Sequence, residues 1–266
     1  MGDIKIIKQK ARVISNIRIA DNIYQMILET GLCKDARPGQ FVMIYPPNGA
    51  RLLGRPVCIA DATDQTVKIV FRTVGDGTRD IASRGEGDHL EIEGPFGNGY
   101  PSDVENNKVG DIVLLGGGLG IPSLLFLAKN FAADGKSISA VLGYRDGNMK
   151  EFLSEDFRAL DVNTVIATED GSSGIKGNVL DPLKNGSVPA GLIYACGPLP
   201  MLAAVKDYAG RKGIRAYISL EEHMACGIGV CLGCVVKTHE KDMHSNVCNA
   251  RVCTEGPVFE AQKVNI

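Results

Sequence analysis

The feature that most constrains the fold is a change of hydrophobic period near Asp111. Before it, apolar residues fall in short β-rich runs: Ala11 to Ile19, Ile23 to Glu29, Gln40 to Tyr45, Arg55 to Ala60, Thr66 to Thr73 and His89 to Glu93. Asn, Asp, Gly and Pro separate them, which predicts an antiparallel barrel or sandwich. From Asp111 onward strand-like runs alternate with helical ones. The strands are expected at 111–115, Ile138 to Leu142, Thr164 to Ala167, Leu192 to Ala195 and Arg215 to Ser219. Helices are expected after Pro122, at Met149 to Leu160 and at Leu199 to Lys212. That alternation predicts a parallel, doubly wound sheet. The polar loop Tyr100 to Gly110 marks the boundary between the two patterns.

The C-terminal part carries a third signal, Cys226-Gly-Ile-Gly-Val-Cys231-Leu-Gly-Cys234, with a distant cysteine in Arg-Val-Cys253-Thr-Glu-Gly. C-x4-C-x2-C with a remote fourth cysteine is the spacing of plant-type 2Fe-2S clusters, where four thiolates hold two irons. Gly227, Gly229 and Gly233 suit a backbone that wraps closely around such a group, with amides directed at sulfur. A structural zinc site is the alternative, because C-x2-C is also a zinc half-site. Of the two later cysteines, Cys253 is the expected fourth ligand. Along an extended 247–253 segment Cys248 shares a face with Ala250 and Val252 and reads as core packing, whereas Cys253 stands before the turn Thr254 to Pro257.

Other segments suggest nucleotide sites. The run Gly116-Gly117-Gly118-Leu119-Gly120 follows the first strand of the second region and precedes a helix with Pro122 in its first turn. It lets backbone amides approach a pyrophosphate, or else makes an ordinary tight turn. Cys196-Gly197-Pro198 opens the last long helix at a carboxyl strand end, where nucleotides bind; the alternative is a buried cysteine at a helix start. In the first region Arg55-Pro56-Val57-Cys58 begins a strand, and Phe71-Arg72 precedes Gly75-Asp-Gly77-Thr78. Thr78 is read as the cap of a short helix over 79–83, with Arg55 as a nearby positive charge at a second anion site. Each element alone also has a plain structural explanation as surface arginine, hairpin turn or cap.

Composition narrows the partners. The 266 residues carry 29 Lys+Arg against 31 Asp+Glu, without a basic block, so no nucleic acid or anionic membrane is expected. Eight cysteines are too few for a disulfide scaffold, and the amino terminus lacks the apolar core of a secretion signal. A cytoplasmic protein with two domains and a small metal module is the expectation.

Taken together, Arg-Pro-x-Cys, Gly-x-Gly-Thr, Gly-Gly-Gly-x-Gly-x-Pro, Gly143-Tyr-Arg145 and Cys-Gly-Pro, in that order, resemble the ferredoxin reductase superfamily. The stretches 219–234 and 252–259 are similar to the electron-transfer subunits of class B dihydroorotate dehydrogenases. The resemblance implies an FAD-binding barrel over 1–102, an NAD-binding α/β domain over 103–220 and a 2Fe-2S module over 221–266. It assigns FAD to Arg55, Pro56, Val57, Cys58, Val70, Phe71, Arg72, Gly77 and Thr78. NAD falls to Gly116, Gly117, Gly118, Gly120, Cys196, Gly197 and Pro198, and the cluster to Cys226, Cys231, Cys234 and Cys253. It further implies an FMN-containing catalytic partner in a heterotetramer, with no acid–base catalytic pair in this chain. Cys58 departs from the serine usual in the family. Another NAD(P)H-dependent ferredoxin or sulfide oxidoreductase is the nearest alternative, though those relatives carry aspartate where Cys226 stands. A zinc-binding interaction protein is the alternative of another class.

Overall fold

The computed structural model describes residues 7–47, 49, 51–102, 111–147, 152–242 and 246–266. Its first strand, β1 (Ile7–Ala20), is long enough to pair twice, with β6 (His89–Phe96) along residues 7–12 and with β2 (Ile23–Glu29) along 12–20. Together with β3 (Phe41–Tyr45), β4 (Arg55–Ala62) and β5 (Thr66–Arg72) it closes an antiparallel barrel in the order β1-β2-β5-β4-β3-β6. Closure removes the exposed strand edges. Val13, Met26, Leu28, Val42, Ile44, Ile59, Ile69 and Ile92 fill the interior, joined by Ile81 of α1 (Asp76–Ala82).

That short helix corrects the expected cap. It starts at Asp76 after Gly75, so Thr78 lies inside its first turn. The Thr78 hydroxyl accepts from the amides of Val74 (2.9 Å) and Gly75 (3.1 Å) and donates to the Gly75 carbonyl (2.9 Å). Asp76 is favourable at a helix N-terminus, which lets the helix begin three residues before the expected position.

The second region is the expected doubly wound sheet. Strands β7 (Ile112–Gly117), β8 (Ile138–Tyr144), β9 (Asn163–Thr168), β10 (Ile175–Lys176), β11 (Leu192–Cys196) and β12 (Arg215–Ser219) are parallel, in the order β10-β9-β8-β7-β11-β12. Helix α2 (Ile121–Ala133) packs over the sheet and against β4. Ala20, Ile23, Ala60 and Val70 of the barrel therefore share one core with Ile121, Leu124 and Leu125. Two ion pairs cross the same junction, Lys129 to Asp61 (2.7 Å) and Lys68 to Asp156 (3.0 Å).

The helix expected over 149–160 is much shorter. Among the described residues it is α3 (Ser154–Arg158), while 148–151 lie outside them. Leu153 adopts φ +67°, a left-handed conformation that a helix cannot pass through. Most of the boundary loop, 103–110, also lies outside the described residues. After α4 (Asp181–Lys184) and α5 (Leu199–Lys212), the C-terminal part forms a hairpin of β13 (Val235–Lys237) and β14 (Asn249–Arg251). Then β15 (Val258–Glu260) returns antiparallel to β12 and extends the large sheet to seven strands.

Candidate functional site

Strand ends set the first part of the site. The carboxyl ends of β7, β8, β9, β11 and β12 face a cleft of about 1540 Å³ shared with the barrel. Gly117, Gly118, Gly120, Gly197 and Pro198 line it, with Arg72 and Thr73 from the end of β5 opposite. Glycine is required here for closeness. A Cβ on Gly120 would overlap the Cys196 carbonyl, and one on Gly117 would stand 2.5 Å from Met201 Sδ. The turn thus lies directly on the end of β11, at the crossover where a doubly wound sheet binds nucleotides. Gly116 and Cys196 sit just behind this surface. A Cβ on Gly116 would meet Ile121, and Cys196 is fully buried.

The barrel residues divide into two groups. The Arg55 guanidinium covers Gly77 so closely that a Cβ there would be 2.5 Å from Nη2. The pair stands at the start of α1 beside Thr78, with Arg51 bound to Asp76 (2.9 Å) and Asp80 (2.8 Å) and exposed Leu52, Leu53 and Val74 nearby in sequence. A glycine filled over by a cation is a cradle suited to an anionic dinucleotide. Val57, Val70 and Phe71 are core side chains, so only their backbones could meet a ligand; Pro56 is exposed. Cys58 keeps some accessible surface, yet burial holds its thiol well above the ordinary value, with Cys196 and Glu221 adding to the rise. Cys196 is pushed up to about 12 for the same reason.

Glu221, just past β12, was not singled out by the sequence. It is exposed at the wall of the cleft, and the protein around it raises its pKa by desolvation. A glutamate in a surface-like run, Leu-Glu-Glu-His, gives no periodic signal. Only its place two residues beyond a carboxyl strand end pointed to the cleft.

The cysteines form the third part. Cys226 and Cys231 lie side by side, and so do Cys234 and Cys253. Among the described residues no three His, Cys, Asp or Glu side chains are arranged to hold a single metal ion. Two thiol pairs, with Cys253 also close enough to feel Cys226, suit a two-iron cluster better than one tetrahedral zinc. Amides are directed at the sulfurs: Cys231 N to Cys226, Gly233 N to Cys231 and Cys253 N to Cys234, each at 3.4 Å. Gly227 (φ +68°) and Gly229 (φ +79°) take the left-handed turns expected of them, whereas at the third bend Leu232 (φ +57°), not Gly233, does so. Burial raises Cys226, but amide hydrogen bonds from Cys231 and Ile228 outweigh it and bring the thiol down to about 7. Cys253 is pushed up to about 12 by burial and by its hydrogen bond with Cys234. Cys248 is exposed rather than core-packed, because β14 begins only at Asn249 and residue 248 lies in the bend before it.

Residues 221–265 match the model of the iron-sulfur cluster binding domain of dihydroorotate dehydrogenase B. The chain is 40% identical over 257 residues to the dihydroorotate dehydrogenase B (NAD(+)) electron transfer subunit of Caldanaerobacter subterraneus subsp. tengcongensis, covering 97% of this chain and 98% of that one. The chain belongs to this family of electron transfer subunits. A Listeria monocytogenes member is 38% identical, with 98% and 100% covered. Among solved structures, the NADH-dependent reduced ferredoxin-NADP oxidoreductase superposes with a TM-score of 0.83 at 28% identity, over 96% of this chain and 89% of that chain. Phthalate dioxygenase reductase gives 0.61 at 16% identity over 97% and 98%, a likeness of fold. The family membership and the pairing of barrel with doubly wound sheet both agree with the reading made from the sequence motifs.

Proposed function

We propose that this chain carries electrons from dihydroorotate, oxidised in a separate FMN-containing catalytic subunit, through a 2Fe-2S cluster and FAD to NAD in pyrimidine biosynthesis. The observation that carries the reading is the pairing of Cys226 with Cys231 and of Cys234 with Cys253 beside a barrel and a nucleotide cleft. FAD supplies the exchange between the two-electron hydride of nicotinamide and the single electrons of an iron-sulfur centre.

The chain's own residues bind and orient. Cys226, Cys231, Cys234 and Cys253 hold the cluster. Arg55, Pro56, Val57, Cys58, Val70, Phe71, Arg72, Gly77 and Thr78 hold FAD, the arginines by charge and the core positions by backbone. The turn 116–120 and Cys196-Gly197-Pro198 take NAD by close backbone approach. Glu221 lines the same cleft, just past the end of β12. In this reading 1–102, 103–220 and 221–266 are the flavin, nicotinamide and cluster units, and two copies assemble with two catalytic subunits in the cytoplasm, where thiols stay reduced.

Activity assays on the purified chain test the division of labour. NADH oxidation with an artificial acceptor is expected, and dihydroorotate oxidation only after the catalytic subunit is added. Dihydroorotate turnover by this chain alone would overturn the proposal.

A further inference from the structure

The tail of β6 holds the cysteine-bearing segments from two sides. Phe96, stacked on Phe41 at 5.5 Å, forms the floor under Gly227, whose Cβ position lies 3.3 Å from the Phe96 ring. Two residues on, Asn98 grips the turn that follows Cys253. Its Nδ2 donates to the carbonyls of Glu255 (2.8 Å) and Val258 (3.1 Å), and its Oδ1 accepts from the Val258 amide (3.2 Å). The Asn98 amide donates to the Gly256 carbonyl (2.7 Å). Between them Gly97, at φ +75°, touches the turn so closely that a Cβ would stand 2.5 Å from Pro257 Cδ.

This grip continues to the strand read as holding flavin. Gln40, 1% exposed, donates from Nε2 to the Gly97 carbonyl (2.8 Å), while its Oε1 accepts from the Arg37 amide (2.8 Å). The Gln40 carbonyl accepts from the amide of Ile59 (3.0 Å), the neighbour of Cys58 on β4. An unbroken chain of buried or half-buried hydrogen bonds therefore runs from β4 through Gln40, Gly97 and Asn98 to the Cys253 turn.

The same C-terminal part has separate anchors on the α/β region. Strand β15 pairs with β12, Lys206 Nζ donates to the Val264 carbonyl (2.7 Å), and Gln262 Nε2 to the Lys206 carbonyl (2.9 Å). Loss of the Asn98 contacts would leave these intact, so the module would stay folded but lose its register on the barrel.

We infer that Asn98, backed by Gln40, is a positioning residue that sets the spacing between the flavin strand and the four cysteines. The inference rests on the proposed function. Its test uses the holo chain, with Asn98→Ala and Asn98→Asp, the latter keeping the acceptor for Val258 and removing both side-chain donations. After anaerobic mixing with NADH, which delivers two electrons as a hydride, flavin bleaching and one-electron cluster reduction are followed separately.

Flavin and iron content, the oxidised-cluster spectrum and the rate of flavin bleaching are expected to match the parent. Cluster reduction is expected to slow by about tenfold or more, the scale on which a small misplacement of reacting centres acts. Amide exchange at Gly256, whose peptide carbonyl side Asn98 holds, is expected to rise in both variants, and at Val258 in Asn98→Ala, which alone loses that amide's acceptor, including in apoprotein. Parent-like cluster reduction despite lost amide protection would overturn the inference, and so would equal slowing of both phases, which marks a merely structural role. A parent chain that binds neither flavin nor iron would instead overturn the underlying reading, before any variant is mixed.

Discussion

The half-buried thiol at position 58 is a weaker hydrogen-bond donor than a hydroxyl, and desolvation favours its protonated form. Cys58→Ser is expected to retain flavin equally or slightly more tightly, by about 0.5–1.5 kcal/mol for one neutral hydrogen bond, in a flavin titration of the apoprotein. Release of flavin would contradict the placement of this strand. Cys253 and Cys248 separate more sharply. Cys253 is buried against Cys234 and receives its place from the turn beyond it, whereas Cys248 is exposed. Cys253→Ala should lose iron and visible absorption, and Cys248→Ala should keep both; iron analysis of the two variants decides. Glu221 carries a pH signature. Its folded carboxyl binds protons more tightly than the unfolded one, so its own contribution to stability is fully present below the ordinary carboxylate range and is lost as pH rises from there through the raised folded value. Glu221→Gln should therefore raise the apoprotein's thermal midpoint at neutral pH. The gain should vanish at acid pH, where both side chains are neutral, and an equal gain at every pH would show that desolvated charge is not its cause.

At the scale of elements, the turn between β7 and α2 has the least room for change. A Cβ at Gly120 has nowhere to go but into the Cys196 carbonyl, so Gly120→Ala must push the turn off β11. About 1–3 kcal/mol of lost stability, the range for overpacking, is expected in denaturant unfolding. Weaker NADH binding with normal iron content should accompany it. This turn was legible in the sequence because three adjacent glycines after an apolar strand have few other uses. The barrel strands were legible too, since period-2 runs broken by Asn, Gly and Pro specify both strand and turn. Other features were hidden by their nature. Leu153 stops a helix through its backbone angle, which leucine does not advertise, and the start of α1 at Asp76 was hidden by the stronger capping tendency of Thr78. Asn98 and Gln40 act between segments about 160 and 57 residues apart, so no local pattern reports them.

Across the whole molecule, the barrel, the large sheet and the C-terminal part are joined by more than chain connections. The barrel and the sheet share a core through α2, and the C-terminal part completes the sheet with β15 while gripping the barrel through Asn98. The cluster loop itself faces outward, with Cys231 exposed among Ile228, Val230 and Leu232, and Cys234 and Cys253 buried beneath. Cys234 and Cys253 share a core with Phe41, Met43 and Phe96 of the barrel and with the large sheet, Cys226 is half-buried, and Cys231 lies at the surface. The proposed electron path requires above all that one chain house both flavin and a two-iron cluster. The most direct measurement is the absorption spectrum of the anaerobically purified chain, with flavin, iron and acid-labile sulfide quantified on the same sample. About one flavin and about two irons per chain, with flavin bands over a broad sulfur-to-iron shoulder, is the predicted result. A colourless protein with zinc in place of iron would contradict it.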